Sequence, residues 1–248
     1  MLNTGLVSVT FRKLGVWEIA EAIKKSALDC VEWGGDIHVP PADTNAISLA
    51  KDASTANGVR IASYGSYYHC DGDEEAIEKQ VSTAALLGAS TIRVWAGNHW
   101  SNDIDAAGRA ETVENIRKTC RCAAKYGLTV SPEYHQATLT DTIDSAVQLL
   151  NEVGEENFRT YWQPNQFEDD EYNIRALKSV LPYLTNVHVF TWQGNDKFPL
   201  NDGEAIWRKY IDIIREDGKD HNLMLEFVCD GTLDQFYRDA ETLKEWIK

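Results

Sequence analysis

Leu128-Thr-Val-Ser-Pro-Glu-Tyr-His135 is a short β-type run that ends on a carboxylate and an imidazole, Glu133 and His135. Pro132 cannot donate to a sheet ladder, so the strand is expected to stop there, with Glu133 at its C-terminal rim. The same arrangement returns along the chain. Glu32, Gln163, His188 and Glu226 each stand near the end of a short apolar run, as do Trp33, Trp95, Trp162 and Trp192. Candidate strands begin near Leu6, Cys30, Arg60, Thr91, Thr129, Arg159, Asn186 and Leu223. Their spacing is roughly 30 residues, the size of one β-α unit. Between them lie amphipathic runs, such as Val16, Ile19, Ala20 and Ile23, or Ile206, Tyr210, Ile211 and Ile214, with helical spacing. Gly58, Gly88, Gly127, Gly154 and Gly218 follow helical runs closely, where a left-handed cap favours glycine. Thr140, Asp141 and Asp202 stand where helices are expected to start. No Pro/Ser-rich linker interrupts the pattern. Repeated strand–helix units in one uninterrupted chain predict the α/β class, as one single-domain (β/α)8 TIM barrel over residues 1–248. An open doubly wound sheet fits less well. Its glycine-rich first turn is absent, and Arg12-Lys13-Leu14-Gly15 follows the first strand instead.

Composition agrees with one sizeable core: 43% of the 248 residues are hydrophobic. Lys+Arg 24 against Asp+Glu 39 gives a net charge of -15, which repels phosphate backbones and anionic lipid; nucleic-acid and membrane partners are not expected. Met1–Thr10 shows no basic stretch followed by a long apolar one, so neither a secretory leader nor a membrane span is expected. The five cysteines are irregularly spaced, and Cys120-x-Cys122 falls in a helix-like segment. They read as reduced thiols of a cytoplasmic protein.

A barrel gathers the C-terminal ends of all its parallel strands on one face, where the active site lies. His38, His69, His99 and His135 follow strands two to five, and His188 lies within strand seven. His221 precedes strand eight, on the opposite face. Alternation along a strand puts His188, Phe190 and Trp192 on one side, and Met224, Glu226 and Val228 on one side. Glu226 lies in the otherwise apolar Leu223-Met-Leu-Glu-Phe-Val228. Burying its charge is costly unless it is paired or holds a metal. The plain alternative is an ion pair with Arg93. Glu133, Gln163, His188 and Glu226 together form an oxygen-rich donor set with one nitrogen, suited to Mn²⁺, Mg²⁺ or Co²⁺.

These residues, in this order, resemble the xylose-isomerase-like TIM-barrel superfamily, the sugar isomerase/epimerase group. Val7-Ser-Val-Thr-Phe11, Cys30-Val-Glu-Trp33 and Ile92-Arg-Val-Trp-Ala-Gly97 resemble it too. The resemblance implies a divalent metal ion, Mn²⁺ first, with Mg²⁺, Co²⁺, Zn²⁺ or Fe²⁺ as alternatives. It implies Glu133, Gln163, His188 and Glu226 as ligands, with Glu133 and Glu226 also exchanging protons with the substrate through an enediolate. Glu32, His38, Trp33, Tyr64, Trp95, His135 and Trp192 are the expected substrate-binding residues, the rings facing the C–H face of a small carbohydrate. The chain departs from the family pattern where Gln163 replaces an aspartate. It also departs from ketose 3-epimerases where Gln166 replaces a histidine and Leu139 a glutamate.

The expected activity is therefore divalent-metal-dependent isomerisation or epimerisation of a small carbohydrate or derivative. Two readings stay beside it. One is a metal-dependent lyase or hydrolase on the same barrel, for example cleaving an oxidised glycoside, since fold does not dictate reaction. The other is a non-catalytic carbohydrate-binding subunit. Self-association as a homo-oligomer is left open, because any helix face could serve.

Overall fold

The computed structural model describes residues 1–248. Seven parallel strands come first: β1 (Leu2–Val7), β2 (Cys30–Gly34), β3 (Arg60–Gly65), β4 (Thr91–Val94), β5 (Thr129–Pro132), β6 (Thr160–Trp162) and β7 (Leu184–Val189). A hairpin of β8 (Thr191–Gln193) and β9 (Asp196–Phe198) precedes the eighth barrel strand, β10 (His221–Leu225). The neighbour order β5-β4-β3-β2-β1-β10-β7-β6 leaves β5 and β6 at the ends of the sheet. Val130 stitches those ends together. Its N–H donates to Asn157 O and its carbonyl accepts from Arg159 N, both at 2.9 Å, and it bridges to Phe158. The result is a nearly closed (β/α)8 barrel.

Eight helices cover the outside: α1 (Val16–Ser26), α2 (Thr44–Asn57), α3 (Glu74–Leu87), α4 (Ala106–Ala124), α5 (Ile143–Val153), α6 (Asp170–Val180), α7 (Glu204–Arg215) and α8 (Leu233–Trp246). Asp43, Asp73, Asp105 and Asp169 cap α2, α3, α4 and α6 by accepting first-turn N–H groups, as short acceptor side chains do. All five glycines singled out above adopt positive φ.

Apolar residues fall into two layers. A cluster of 57 buried residues fills the space between strands and helices. A second cluster, Val7, Val9, Cys30, Ala62, Tyr161 and Met224, lies inside the barrel. The alternation of β10 sorts its residues between them: Leu223 and Leu225 pack outward, and Met224 inward.

The strand starts agree with the sequence pattern within one or two residues, except at β1, which begins at Leu2. Three other details differ. Helix α5 is capped by Thr142. Thr140 Oγ1 instead donates to Glu133 O, and Asp141 Oδ2 accepts from Ser101 N at 2.8 Å. Asp202 falls in a 3-10 turn, Leu200–Gly203, before α7. Finally, β7 stops at Val189, so Trp192 belongs to the hairpin and not to the strand of His188.

Candidate metal centre

Glu133 directly follows β5, His188 sits inside β7, and Glu226 directly follows β10. These three strand ends converge at the C-terminal mouth. Glu133, His188 and Glu226 are all buried, and one ligand atom from each lies within 4.8 Å of the other two. His188 Nδ1 is 3.8 Å from Glu133 Oε1 and 3.3 Å from Glu226 Oε2. Gln163, just past β6, places its amide oxygen 2.8 Å from the same Nδ1. Two donors at right angles, each about 2.1 Å from a cation, lie about 3 Å apart, so these separations suit ligands of a single ion. Three oxygens and one imidazole nitrogen are the donor chemistry of a hard or borderline divalent cation.

Glu133 is clamped on its far side. Its Oε2 accepts from Arg93 Nη1 and, at 2.9 Å, from Trp95 Nε1, so Oε1 is the atom turned to the centre. Burial works against its charge, but Arg93 and His188 outweigh burial and hold the carboxyl down to about 2. His188 is pushed the other way. Burial disfavours its cation, yet Glu226, Glu133 and Glu32 together raise it to about 9. The carboxylates that raise His188 are the same ones that would hold a cation. His188 Nε2 has no hydrogen-bond partner; its nearest carboxylate oxygen, on Glu32, is 3.9 Å away.

The sequence placed further residues at this site. His135 lines a cavity of about 130 Å³ with Glu133, Gln163, Trp192 and Glu226. Its Nδ1 donates to Gln136 O at 2.8 Å, which leaves Nε2 free. Trp95 stacks on His135 with ring centroids 5.0 Å apart, and Trp192 forms another part of the wall.

Four residues stand elsewhere. Trp33 points outward from β2 and donates its indole N–H to Ser54 on α2, because alternation that turns Glu32 inward turns its neighbour out. Tyr64 is likewise buried outside the barrel lumen, its hydroxyl donating to Val39 O. His38 is held by Ser8 Oγ at 3.0 Å and by Leu14 O at 3.2 Å, both nitrogens engaged in loop packing. Glu32 lies beneath the centre and is saturated: it accepts from Arg93 Nε at 2.9 Å, Ser63 Oγ at 2.8 Å and Tyr161 OH at 2.7 Å. It supports the floor and leaves nothing to a substrate. The alternative considered for Glu226, an ion pair with Arg93, does not form, since Arg93 divides itself between Glu32 and Glu133.

Sequence reading missed Asp141 and Phe227. Asp141 lines the cavity, and its Oδ1 is buried with no partner. Phe227 follows Glu226 with φ of 53°, a left-handed conformation unfavourable for a bulky residue. Its N–H is held by Thr10 Oγ1 at 3.0 Å. A helix-capping pattern masked Asp141; no local signal marks Phe227.

A family model described as xylose isomerase-like TIM barrel matches residues 20–247. The chain is 37% identical over 119 residues to a 3-dehydroshikimate dehydratase from Bacillus anthracis, a match spanning 46% of this chain and 42% of that relative. Among solved structures, the probable 3-DHS dehydratase AsbF of Bacillus anthracis is similar at TM-score 0.82 and 20% identity, over 98% of this chain and 99% of that one. A D-allulose 3-epimerase from Methylomonas sp. is similar at TM-score 0.75 and 14% identity, over 99% and 98% of the two chains. The 3-keto-D-glucoside 4-epimerase YcjR of E. coli gives 0.75 and 19%, over 99% of each. At those identities the three structures share the fold.

Proposed function

The chain belongs to the xylose isomerase-like TIM-barrel family, and from that premise we propose that it is a divalent-metal-dependent enzyme that removes a proton from the carbon beside a carbonyl in a small polyhydroxylated substrate. One observation carries this reading: Glu133 Oε1, His188 Nδ1 and Glu226 Oε2 meet at the barrel mouth, with the Gln163 oxygen against the imidazole. Glu133, Gln163, His188 and Glu226 would hold the ion. A bound divalent cation supplies positive charge at the carbonyl oxygen, making the neighbouring C–H more acidic.

The chain's own groups divide the remaining work. Arg93 and Trp95 fasten Glu133, which suits an anchor more than a proton carrier. Glu226 has no arginine partner and takes the proton. His135, with its Nε2 free over the cavity, is placed to deliver a proton to a departing or newly formed hydroxyl. Trp95, Trp192 and Phe227 keep water from the reacting carbon.

Two outcomes share this first step. If the C–H electron pair forms a carbon–carbon double bond and a β-hydroxyl leaves with a proton from His135, the product is a dehydrated ketone plus water. The partial match to a dehydratase favours this outcome, as do Leu139 and Gln166 at positions where ketose 3-epimerases carry a glutamate and a histidine. If the proton returns to the same or the adjacent carbon, the product is an epimer or isomer. Full convergence of two carboxylates on one centre favours keeping this second reading.

The metal-loaded protein, incubated with 3-dehydroshikimate and separately with ketohexoses, distinguishes them by product: new ultraviolet absorbance for elimination, a new sugar for isomerisation. Glu226→Gln is expected to lower turnover by roughly 10²–10⁴-fold in either case with the far-ultraviolet dichroism unchanged. Undiminished turnover in that variant would sink the assignment.

A further inference from the structure

After β5 the chain doubles back on itself. Ala137 takes a left-handed φ of 54°, uncommon for a residue with a side chain. The turn is braced from both sides. Thr138 Oγ1 donates to His135 O at 2.7 Å, Thr140 Oγ1 donates to Glu133 O, and Leu139 N donates to Ala96 O at 2.9 Å. These bonds return Asp141 to the wall of the cavity it shares with Glu133, His135 and Glu226.

Once there, Asp141 has little to do within the protein. It is 8% exposed, and its one hydrogen bond takes the Ser101 N–H onto Oδ2 at 2.8 Å. Oδ1 is buried without a partner. Asp141 stands just before α5, yet Thr142 caps that helix. The Tyr134 hydroxyl, on the same wall, is engaged with Tyr172 at 3.3 Å. No lysine or arginine lines the cavity. A buried carboxylate oxygen left bare is costly. A strained and braced turn that keeps it in place holds an acceptor ready for a donor that arrives with the ligand. An anion would meet Asp141, Glu133 and Glu226 together. A hydroxyl instead gives the bare oxygen a charge-assisted hydrogen bond.

We propose that Asp141 is a specificity-determining residue: Oδ1 accepts the proton of one substrate hydroxyl while Ser101 holds Oδ2. That contact sets which carbon is presented to Glu226. The inference rests on the proposed function for the identity of the reacting carbon.

Binding carries the test, without turnover. Trp192 lines the cavity and Trp95 stacks on His135, so tryptophan fluorescence of the Mn²⁺-loaded protein reports occupancy. The probes are D-fructose and its monodeoxy analogues. With the unaltered protein, loss of one hydroxyl beyond those that contact the ion is expected to weaken binding by roughly tenfold or more, the scale of a hydrogen bond to a charged acceptor. Asp141→Asn can keep the Ser101 bond through its amide oxygen. It is expected to cut that single penalty to about threefold, and Asp141→Ala to erase it. In Asp141→Asn the penalties at the other hydroxyls, and the affinity for Mn²⁺, should stay within about twofold. The proposal would be overturned by penalties that all survive in both variants, by penalties that shrink together in Asp141→Asn, or by a fall in its Mn²⁺ affinity. No response of the unaltered protein to D-fructose would overturn it too. Failure of the proposed function reads differently: the one hydroxyl penalty would appear and be lost with Asp141, with no product from any substrate.

Discussion

Arg93 serves two buried carboxylates at once, with Glu32 on its Nε and Glu133 on its Nη1. All three side chains are at most 6% exposed, so solvent screens little of the interaction. A buried ion pair against apolar packing is often neutral, but removing one partner strands the other. Arg93→Met strands two. It is expected to destabilise the fold by about 3–5 kcal/mol, read as a lower urea midpoint, and to free Glu133 to turn away from His188. An unchanged midpoint would mean that the Arg93 cluster adds nothing to the stability of the fold. Close packing around this group extends to the backbone. A Cβ on Gly65 would meet Glu32 Oε1 at 2.7 Å and Arg93 Nη2 at 2.8 Å, so β3 must end in glycine there. None of these partnerships has a local signature: Arg93 lies 61 residues from Glu32 and 40 from Glu133, and the three share only their inward register.

At the scale of elements, the helices owe their boundaries to side chains the sequence advertises. Asp73 Oδ1 accepts from Glu75 N at 2.9 Å and Ala76 N at 3.1 Å, two of the four orphan donors of α3. Asp73→Ala is expected to cost about 1 kcal/mol and to lower the melting temperature by about 2–4 °C, as for a chain of 150–250 residues. Since α3 lies on the outside, turnover at low temperature should stay as it was. A drop larger than this would place α3 in a more cooperative role than its cap implies. Capping and glycine punctuation were legible because they depend on four or five consecutive residues. The hairpin was not. Thr191–Gln193 and Asp196–Phe198 pair only because β7 ends at Val189 and the chain must return to η-type turn Leu200–Gly203 before α7. Read along the sequence, Phe190 and Trp192 look like a continuation of the strand.

For the whole molecule, proton and cation compete for one place. His188, raised to about 9 by Glu226, Glu133 and Glu32 against the opposing effect of burial, must lose its proton before Nδ1 can ligate. The sign follows directly. Metal affinity is expected to be weakest in acid, to rise about tenfold per pH unit up to about 9, and to level off above it. Glu133, ionised down to about 2, adds nothing in that range. Without metal the direction reverses. The charged His188 contributes stability fully present below its unfolded value of 6.5 and lost as pH rises through about 9. Chelator-treated protein should therefore soften across this window while the stabilisation conferred by added Mn²⁺ grows. Calorimetric melts at several pH values, with and without metal, check both. A metal affinity independent of pH between 6 and 9 would remove His188 from the ligand set. No helix is long and apolar enough to cross a membrane.

The sequence by itself determined the barrel and the places where its strands end. Strand, helix and cap follow from short-range periodicity and backbone chemistry, and eight such units leave a closed parallel sheet as the arrangement that buries every apolar face. It also put Glu133, Gln163, His188 and Glu226 at one mouth, because in a parallel barrel position along the chain fixes position on the axis. Only the tertiary structure decided direction and partnership. Trp33 and Tyr64 turn outward, Glu32 sinks into a polar floor, and Trp192 reaches the cavity from a separate hairpin. Each of these depends on a rotation by one residue or on a contact between strands far apart in sequence, and neither is encoded in any single stretch.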